Sequence, residues 1–536
     1  MPEAVPDSVD LLITGGTVVD GTGSPGFQAD VAVLDGQLRI IHGTAAPAHA
    51  RERIDASAKV VAPGFIDLHS HSGLWILAEP RHEPKVRQGV TTEVIGVDGN
   101  AYAPFRRRED LEAFVLLNGG LDGRPEIAHD WDSVSSYLDR FDRGVAVNIA
   151  FLVGNSGLRI NAIGWEDEPA DDHALDQMRG TLREAMEEGA FGLSSGLDYP
   201  PGSYASTDEL VALTGVAAEL GGIYHTHVRY PLGDRYLDPF REAIEIGRRG
   251  GGPAHLTHFY HRSTYPGGVE PMLALVDDAR ARGQDITFDT YPYEWASTRL
   301  LIQLPQWVQA GGPMALLDRL ADRAVRDRLR AELAERGAAY ASADGWTDVR
   351  LGYFASPHNL RWESCTLAEV MRETGSDAVD AICDLLMTED LRVAQVTSGP
   401  AHETLPAFVA HPVGMVGTDS TFLGEKVSPR TYGSFPRILG EFVREKRLMG
   451  LEEAVRKMTS APASRLGLAD RGIIRDGYVA DLVVFDPATV ASLATYEEPR
   501  RFPVGIEHVI VNGTPVVRNG EHTGALPGRA LRRGMD

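Results

Sequence analysis

Lysine is scarce in this 536-residue chain: of 52 cationic side chains only Lys59, Lys85, Lys426, Lys446 and Lys457 are lysines. None lies between Lys85 and Lys426, which excludes chemistry that needs a lysine in the middle of the chain. Cysteine is scarcer still. Cys365 and Cys383 are too few for a disulfide framework and too far apart for a zinc motif, so both are expected to be buried small hydrophobes. No apolar run reaches the roughly 18 residues of a membrane-spanning helix, and the opening MPEAVPDSVD has neither the basic start nor the apolar stretch of a secretory signal. A cytoplasmic protein is expected. Basic tracts are absent too, and 76 acidic residues against 52 basic ones leave a net charge of −24, a surface that repels phosphate backbones and anionic lipid. Nucleic-acid and membrane partners are therefore not expected; a small-molecule substrate is, with homo-oligomerisation left open.

What is present is ordinary globular material, 43% hydrophobic and 24% charged, which excludes global disorder. The first sixty residues (LLITGGTVVDG, DVAVLDGQLRII, RIDASAKVVAPG) and the last seventy (YVADLVVFDP, HVIVNGTPVVRNG) alternate short apolar stretches with Gly and Asp turns. Neither end alone offers enough strands for a core, so residues 1–62 and 466–536 are expected to build one small β-sandwich domain together. Between them, over 63–465, eight apolar strands alternate with helical stretches: 60–71, 91–99, 145–155, 191–196, 221–229, 253–259, 285–293 and 414–420. In the stretch beginning at Asp171, Leu175, Met178, Leu182 and Met186 recur at helical steps. Eight such units predict an α/β fold with a parallel (β/α)8 barrel, whose strands are apolar on both faces because both are covered. The long gap before the eighth strand predicts a mainly helical insertion over about 296–400, part of it a lid over the barrel mouth.

Polar residues gather at the strand ends, where such a barrel carries its active site. Asp67, His69 and His71 stand in GFIDLHSHSG. Residues two apart on a strand share a side, so His69 and His71 can offer both imidazoles to one metal. His227 ends the fifth strand and His258 the sixth, making metal binding the economical reading of four histidines. His225, two before His227, is expected inside as a supporting or substrate-contacting group; His255, three before His258, is expected to face away. Asp419, ending the eighth strand, is a carboxylate suited to bind metal and to serve as general base and acid. Asp98, at the second strand end, has three readings: bridging two metals, ligating one, or capping the next segment.

These features resemble the metal-dependent amidohydrolase superfamily. GAFGLSSGLDYPPGSYAST, GGIYHTHVR, SPRTYGSFPRILGEFVRE, LEEAVRKMTSAPASRLGLADRG and GYVADLVVFDP narrow the likeness to the N-acyl-D-amino-acid deacylases (D-aminoacylases), over nearly the whole chain. The resemblance implies that His69, His71 and Asp419 form one metal site and that His227 and His258 belong to another. A cysteine completes the second site in that family; here the matching residue is Asp98. The resemblance implies a divalent metal, zinc first, one or two ions; replacing thiolate with carboxylate removes a soft ligand, which weakens strict zinc preference and brings manganese or cobalt into range. The resemblance also implies substrate contacts from Arg430 and Tyr291, from Tyr199 in the first quoted segment, and from the position of a lysine that is here Tyr260, with His261 and Arg262 as replacements for the lost cation. The implied activity is hydrolysis of a carbon-nitrogen amide bond, most simply that of an N-acyl-D-amino acid, by a metal-activated water with Asp419 as base and acid. The rivals are an amidohydrolase opening a cyclic amide or imide or cleaving a carbamate, and a catalytically silent barrel scaffold, which four retained histidines and Asp419 disfavour.

Overall fold

The apolar runs between residues 65 and 416 fold into a closed ring of parallel strands in the computed structural model, which describes residues 8–43, 47–230, 235–335 and 342–534. They are β1 (Phe65–Asp67), β2 (Val90–Ile95), β3 (Asn148–Phe151, resumed at Val153–Gly154), β4 (Gly192–Gly196), β5 (Ile223–His227), β6 (Ala254–Leu256), β7 (Ile286–Thr290) and β8 (Gly414–Val416). Seven fall inside the expected stretches, and β2 begins at Val90, one residue before the expected 91–99. Neighbours pair in parallel from β1 to β8. The bridge between Ser70 and Ser420 closes the ring, supported by hydrogen bonds from His71 N to Ser420 O (3.1 Å) and Asp419 N to His69 O (2.8 Å). Every residue of β2 and β5 is buried, as covered parallel strands require.

Helices pack outside the ring by the pattern the sequence carries. Asp171 caps the helix Asp172–Glu187 by accepting from Ala174 N at 2.8 Å, and Met178, Leu182 and Met186 are buried along one face. Strand parity misleads at β6, which ends at Leu256. His258 lies beyond it with φ of 33°, so His255, expected outside, turns into the barrel and stacks on His225 with ring centroids 5.1 Å apart.

The two ends of the chain meet in one sandwich. Leu482–Phe485 lies antiparallel to Val60–Pro63 and to Ile506–Val511, while Ser8–Thr14 pairs with Asp30–Leu34 and His49–Asp55 in a second sheet. Leu11, Ile13, Val33, Val61, Leu482 and Val484 fill the space between them, and Ile40 N donates to Asp476 Oδ1 across the join. The tail departs from this unit: Gly528 and Ala530 bridge to Val145 and Ile149, and Leu531 packs with Ile66, Leu68 and Val94 at the barrel floor.

The segment before β8 holds helices Gly312–Ala321, Arg323–Glu335, Leu367–Thr374 and Ala378–Thr388 around a core that includes Leu316, Trp346, Ile382 and Leu386. It also holds an antiparallel sheet of Trp295–Arg299, Arg350–Phe354 and Val393–Ser398, where mainly helix was expected. Those strands interleave polar residues such as Ser297, Thr298 and Gln395 with apolar ones, which hides them from an apolar-run reading. Cys383 is buried in this core; Cys365, expected buried, is partly exposed. Among the described residues no helix is long and apolar enough to cross a membrane.

Candidate active site

The carboxyl ends of the strands converge on one side-chain oxygen. Asp98 Oδ2 lies 3.2 Å from His69 Nε2, 3.6 Å from His71 Nε2, 3.5 Å from His227 Nδ1 and 3.5 Å from His258 Nε2. Asp419 Oδ1 stands 3.5 Å from His69 Nε2 and 3.3 Å from His71 Nε2, and His227 Nδ1 lies 2.9 Å from His258 Nε2. Two of the three donor groups among the described residues share Asp98, His69–His71–Asp98–Asp419 and Asp98–His227–His258; the third is His69–His225–Asp289. The backbone bends hard to achieve this. Asp98, His258 and Asp419 have φ of 53°, 33° and 46°, in the left-handed region that non-glycine residues seldom occupy, and a Cβ on Gly196 would come within 1.9 Å of Asp98 O.

Electrostatics favours a cation here. Burial opposes charge on His69, yet Asp98 and Asp419 raise its pKa to about 10; burial likewise opposes charge on His227, which Asp198 and Asp98 raise to about 9. Burial would lift the Asp419 carboxyl, but Arg430 and His69 hold it at about 2. The donor set is all nitrogen and oxygen, of borderline-to-hard character. Its separations of 3.2–3.6 Å match the edges of a coordination polyhedron with metal–ligand bonds of about 2.1 Å. These residues fit a divalent metal.

A second tier of acids orients the first. Asp122 Oδ1 lies 3.1 Å from His71 Nδ1, while its Oδ2 accepts from the Tyr102 hydroxyl. Asp289 Oδ2 lies 3.6 Å from His69 Nδ1 and 3.0 Å from His255 Nε2, while its Oδ1 accepts from His258 N at 2.8 Å. Asp198 Oδ2 lies 3.1 Å from His227 Nε2, and the Tyr230 hydroxyl 2.9 Å from His258 Nδ1. Such partners fix ring orientation and tautomer. The sequence reading missed all four, although Asp198 and Asp289 sit at strand ends as Asp98 and Asp419 do; Asp122 and Tyr230 lie in loops and give no signal.

The site opens into a cavity of about 550 Å³ whose wall includes His71, Asp98, His227, His258 and Asp419. Tyr199, Tyr260 and Tyr291 line it as well, together with Ser297, Thr298, Leu304 and Gln395 from the insertion. Asp67, His225 and Arg430 stand elsewhere. Asp67 lies below the histidines, bound by Lys85 and by Thr418 N at 2.9 Å. His225 is fully buried with Nε2 3.1 Å from Leu68 O, beneath the cavity and not on its wall. Arg430 is also fully buried: Nη1 is 2.9 Å from Asp419 Oδ2, Nη2 donates to Ser297 O at 3.1 Å, and the guanidinium lies 4.4 Å from the Tyr291 ring. The expected substrate clamp is thus engaged by Asp419.

A barrel with histidines and aspartates converging at its strand ends defines a metal-dependent hydrolase, and the chain belongs to the amidohydrolase family, whose profile matches residues 52–517. It is an enzyme of carbon-nitrogen bonds other than peptide bonds, within the D-aminoacylase branch. It is 34% identical to a D-aminoacylase and 35% identical to an N-acyl-D-glutamate deacylase, both from Alcaligenes xylosoxydans xylosoxydans, over 98% of this chain and 98% and 97% of theirs. Its fold is similar to the crystal structure of N-acyl-D-glutamate deacylase from Bordetella bronchiseptica, complexed with zinc and a phosphonate mimic of the tetrahedral intermediate: TM-score 0.82, 33% identity, covering 98% of this chain and all of that one.

Proposed function

We propose that this enzyme deacylates N-acyl-D-amino acids, with His69, His71, Asp98, His227, His258 and Asp419 holding one or two divalent cations. The convergence of four imidazole nitrogens on Asp98 Oδ2, with Asp419 Oδ1 beside the same first pair, carries the reading. The substrate class comes from the similar deacylases. Zinc is the first choice, and the carboxylate donor at residue 98 keeps manganese and cobalt in range. When bound, the metal supplies Lewis acidity, polarising the scissile carbonyl and making water nucleophilic near neutral pH.

Asp419 takes the proton from the attacking water and returns it to the leaving nitrogen. Its Oδ1 faces the His69–His71 pair while Arg430 grips Oδ2, so the carboxylate is oriented and stays ionised. On the cavity wall Tyr199, Tyr260 and Tyr291 offer polar contacts to the substrate, and Leu121, Ile302, Leu304 and Pro305 form an apolar face suited to an acyl chain. The insertion walls the mouth and limits water around the reacting amide.

Metal analysis of the purified protein, with turnover of N-acetyl amino acids in D and L forms, tests the reading. One or two divalent ions per chain and D-selective hydrolysis are expected, and Asp98→Cys should keep metal while shifting preference toward zinc. A folded protein that binds no metal would sink it. Turnover of ring amides or carbamates alone would move it to the neighbouring chemistry.

A further inference from the structure

Arg299 ends the insertion strand Trp295–Arg299, is 1% exposed and has no carboxylate partner among the described residues. Its guanidinium is held by other groups. Nη1 donates to Leu117 O at 3.2 Å and to Asn118 Oδ1, and the guanidinium lies 4.9 Å from the Tyr199 ring. Leu117 and Asn118 end the helix Arg108–Leu117, whose last carbonyls lack intrahelical partners and carry partial negative charge. Burial opposes charge on Arg299, while Tyr199 and Asp122 favour it. The turn that Arg299 holds is the one that delivers Asp122. Leu121 N and Asp122 N donate to Asn118 O at 2.8 and 3.0 Å, and Asp122 Oδ1 stands 3.1 Å from His71 Nδ1. The insertion grips this turn a second time. A Cβ on Gly120 would come within 2.4 Å of Val393 O, and one on Gly119 within 2.8 Å of the Arg392 side chain, so the start of the strand Val393–Ser398 presses directly on the turn. Leu117 itself packs in the insertion's core with Leu300 and Leu301.

We infer that the insertion positions Asp122 against His71, with Arg299 as the positioning residue, so that docking of the insertion and tight binding of metal occur together. This rests on the reading of His71 as a metal ligand. An acid that accepts from a ligating imidazole fixes its tautomer and orientation, and does so only as well as its own backbone is held. Gly119 and Gly120 would leave Asp122 on a loose tether without an outside hold. The donor that supplies the hold reaches Asn118 across 181 residues of sequence, out of the insertion. By linkage, docking strengthens metal binding by the same factor by which metal strengthens docking. The insertion is then more than a wall of the cavity, because it completes the support behind one of the imidazoles.

The test titrates zinc against a chromogenic chelator with the full chain and its Arg299→Met, Arg299→Lys, Gly120→Ala and Asp122→Asn variants. Arg299→Met and Gly120→Ala should each weaken zinc binding by about 10-fold, within the range for residues that support a metal ligand. Adding either to Asp122→Asn should weaken it no further, because the acid through which they act is already gone. Arg299→Lys should recover part of the affinity, since its ammonium can still donate to Asn118 Oδ1. Hydrogen exchange gives a readout without turnover: zinc should slow exchange across Val393–Ser398 in the wild type, and by less in Arg299→Met. Additive losses in the double variants, or unchanged affinity in both Arg299→Met and Gly120→Ala, would overturn the positioning role while leaving the metal site standing. A folded wild type with no affinity for zinc, manganese or cobalt would instead overturn the metal reading on which the role depends.

Discussion

Two charged clusters lie buried in the same barrel and end differently. At the mouth, four histidines surround Asp98 and Asp419, with Asp122, Asp198 and Asp289 behind them and no lysine among them. Below it, Lys85 is bound to Asp67 and Thr418 and stands 3.7 Å from Glu93 Oε2, while His82 Nε2 lies 3.0 Å from Glu93 Oε1 and Ser72 donates to the same carboxylate. The lower cluster supplies its own cation and closes on itself. The upper one aims its lone pairs at a common centre and leaves the cation to be brought in. Both are buried, though only the upper one reaches a cavity wall, and the direction of the donor atoms separates a structural cluster from a candidate site.

Breaking the upper cluster at its base should have the largest effect. Asp419→Asn, nearly isosteric, is expected to lower kcat by about 10²–10⁴ with metal retained, as steady-state kinetics and metal analysis on one preparation would reveal. Loss of metal in parallel would show that Asp419 serves mainly as a ligand. In the lower cluster, Lys85→Met takes the buried cation from Asp67 and leaves Glu93 with His82 alone, and should cost about 3–5 kcal/mol of stability in denaturant unfolding. An unchanged midpoint would erase the contrast between the clusters.

Acid sharpens the comparison further. Burial alone would raise the Glu93 pKa, but His82 and Lys85 hold it at about 2, below its ordinary 4.5. A depressed carboxylate contributes stability above its unfolded pKa and loses it as pH falls through the folded one. The metal-free protein should therefore lose about 3 kcal/mol from this group between roughly pH 4.5 and 2. Unfolding curves across that window should be flatter for Glu93→Gln. The smallest effect is expected behind the proposed metal ligands: Asp122→Asn removes the acid against His71 and should weaken metal affinity by about 10–100-fold in competition with a chelator.

Much of this was legible in the sequence, because parallel strands and period-two histidines follow local rules. The eight strands and the gathering of His69, His71, Asp98, His227, His258 and Asp419 needed no distant information. What failed to show depended on partners remote in sequence or on irregular backbone. His255 turns inward because β6 stops before His258, so counting residues does not give its side. Arg430 was expected at the substrate carboxylate, but the loop after β8 folds back and hands it to Asp419. Asp122 reaches His71 from a loop with no pattern of its own.

The sandwich joined from both ends sets a clock on the protein's birth. The hydrogen bond from Ile40 to Asp476 spans 436 residues. A ribosome adding about 5–20 residues per second needs roughly 20–90 s to cover that distance. Throughout that interval Val60–Pro63 waits without Leu482–Phe485, and the barrel floor without Leu531. The nascent chain must therefore carry an unpaired strand edge and an open barrel base until synthesis is almost finished, which makes it a natural client for chaperones that shield apolar surface during translation.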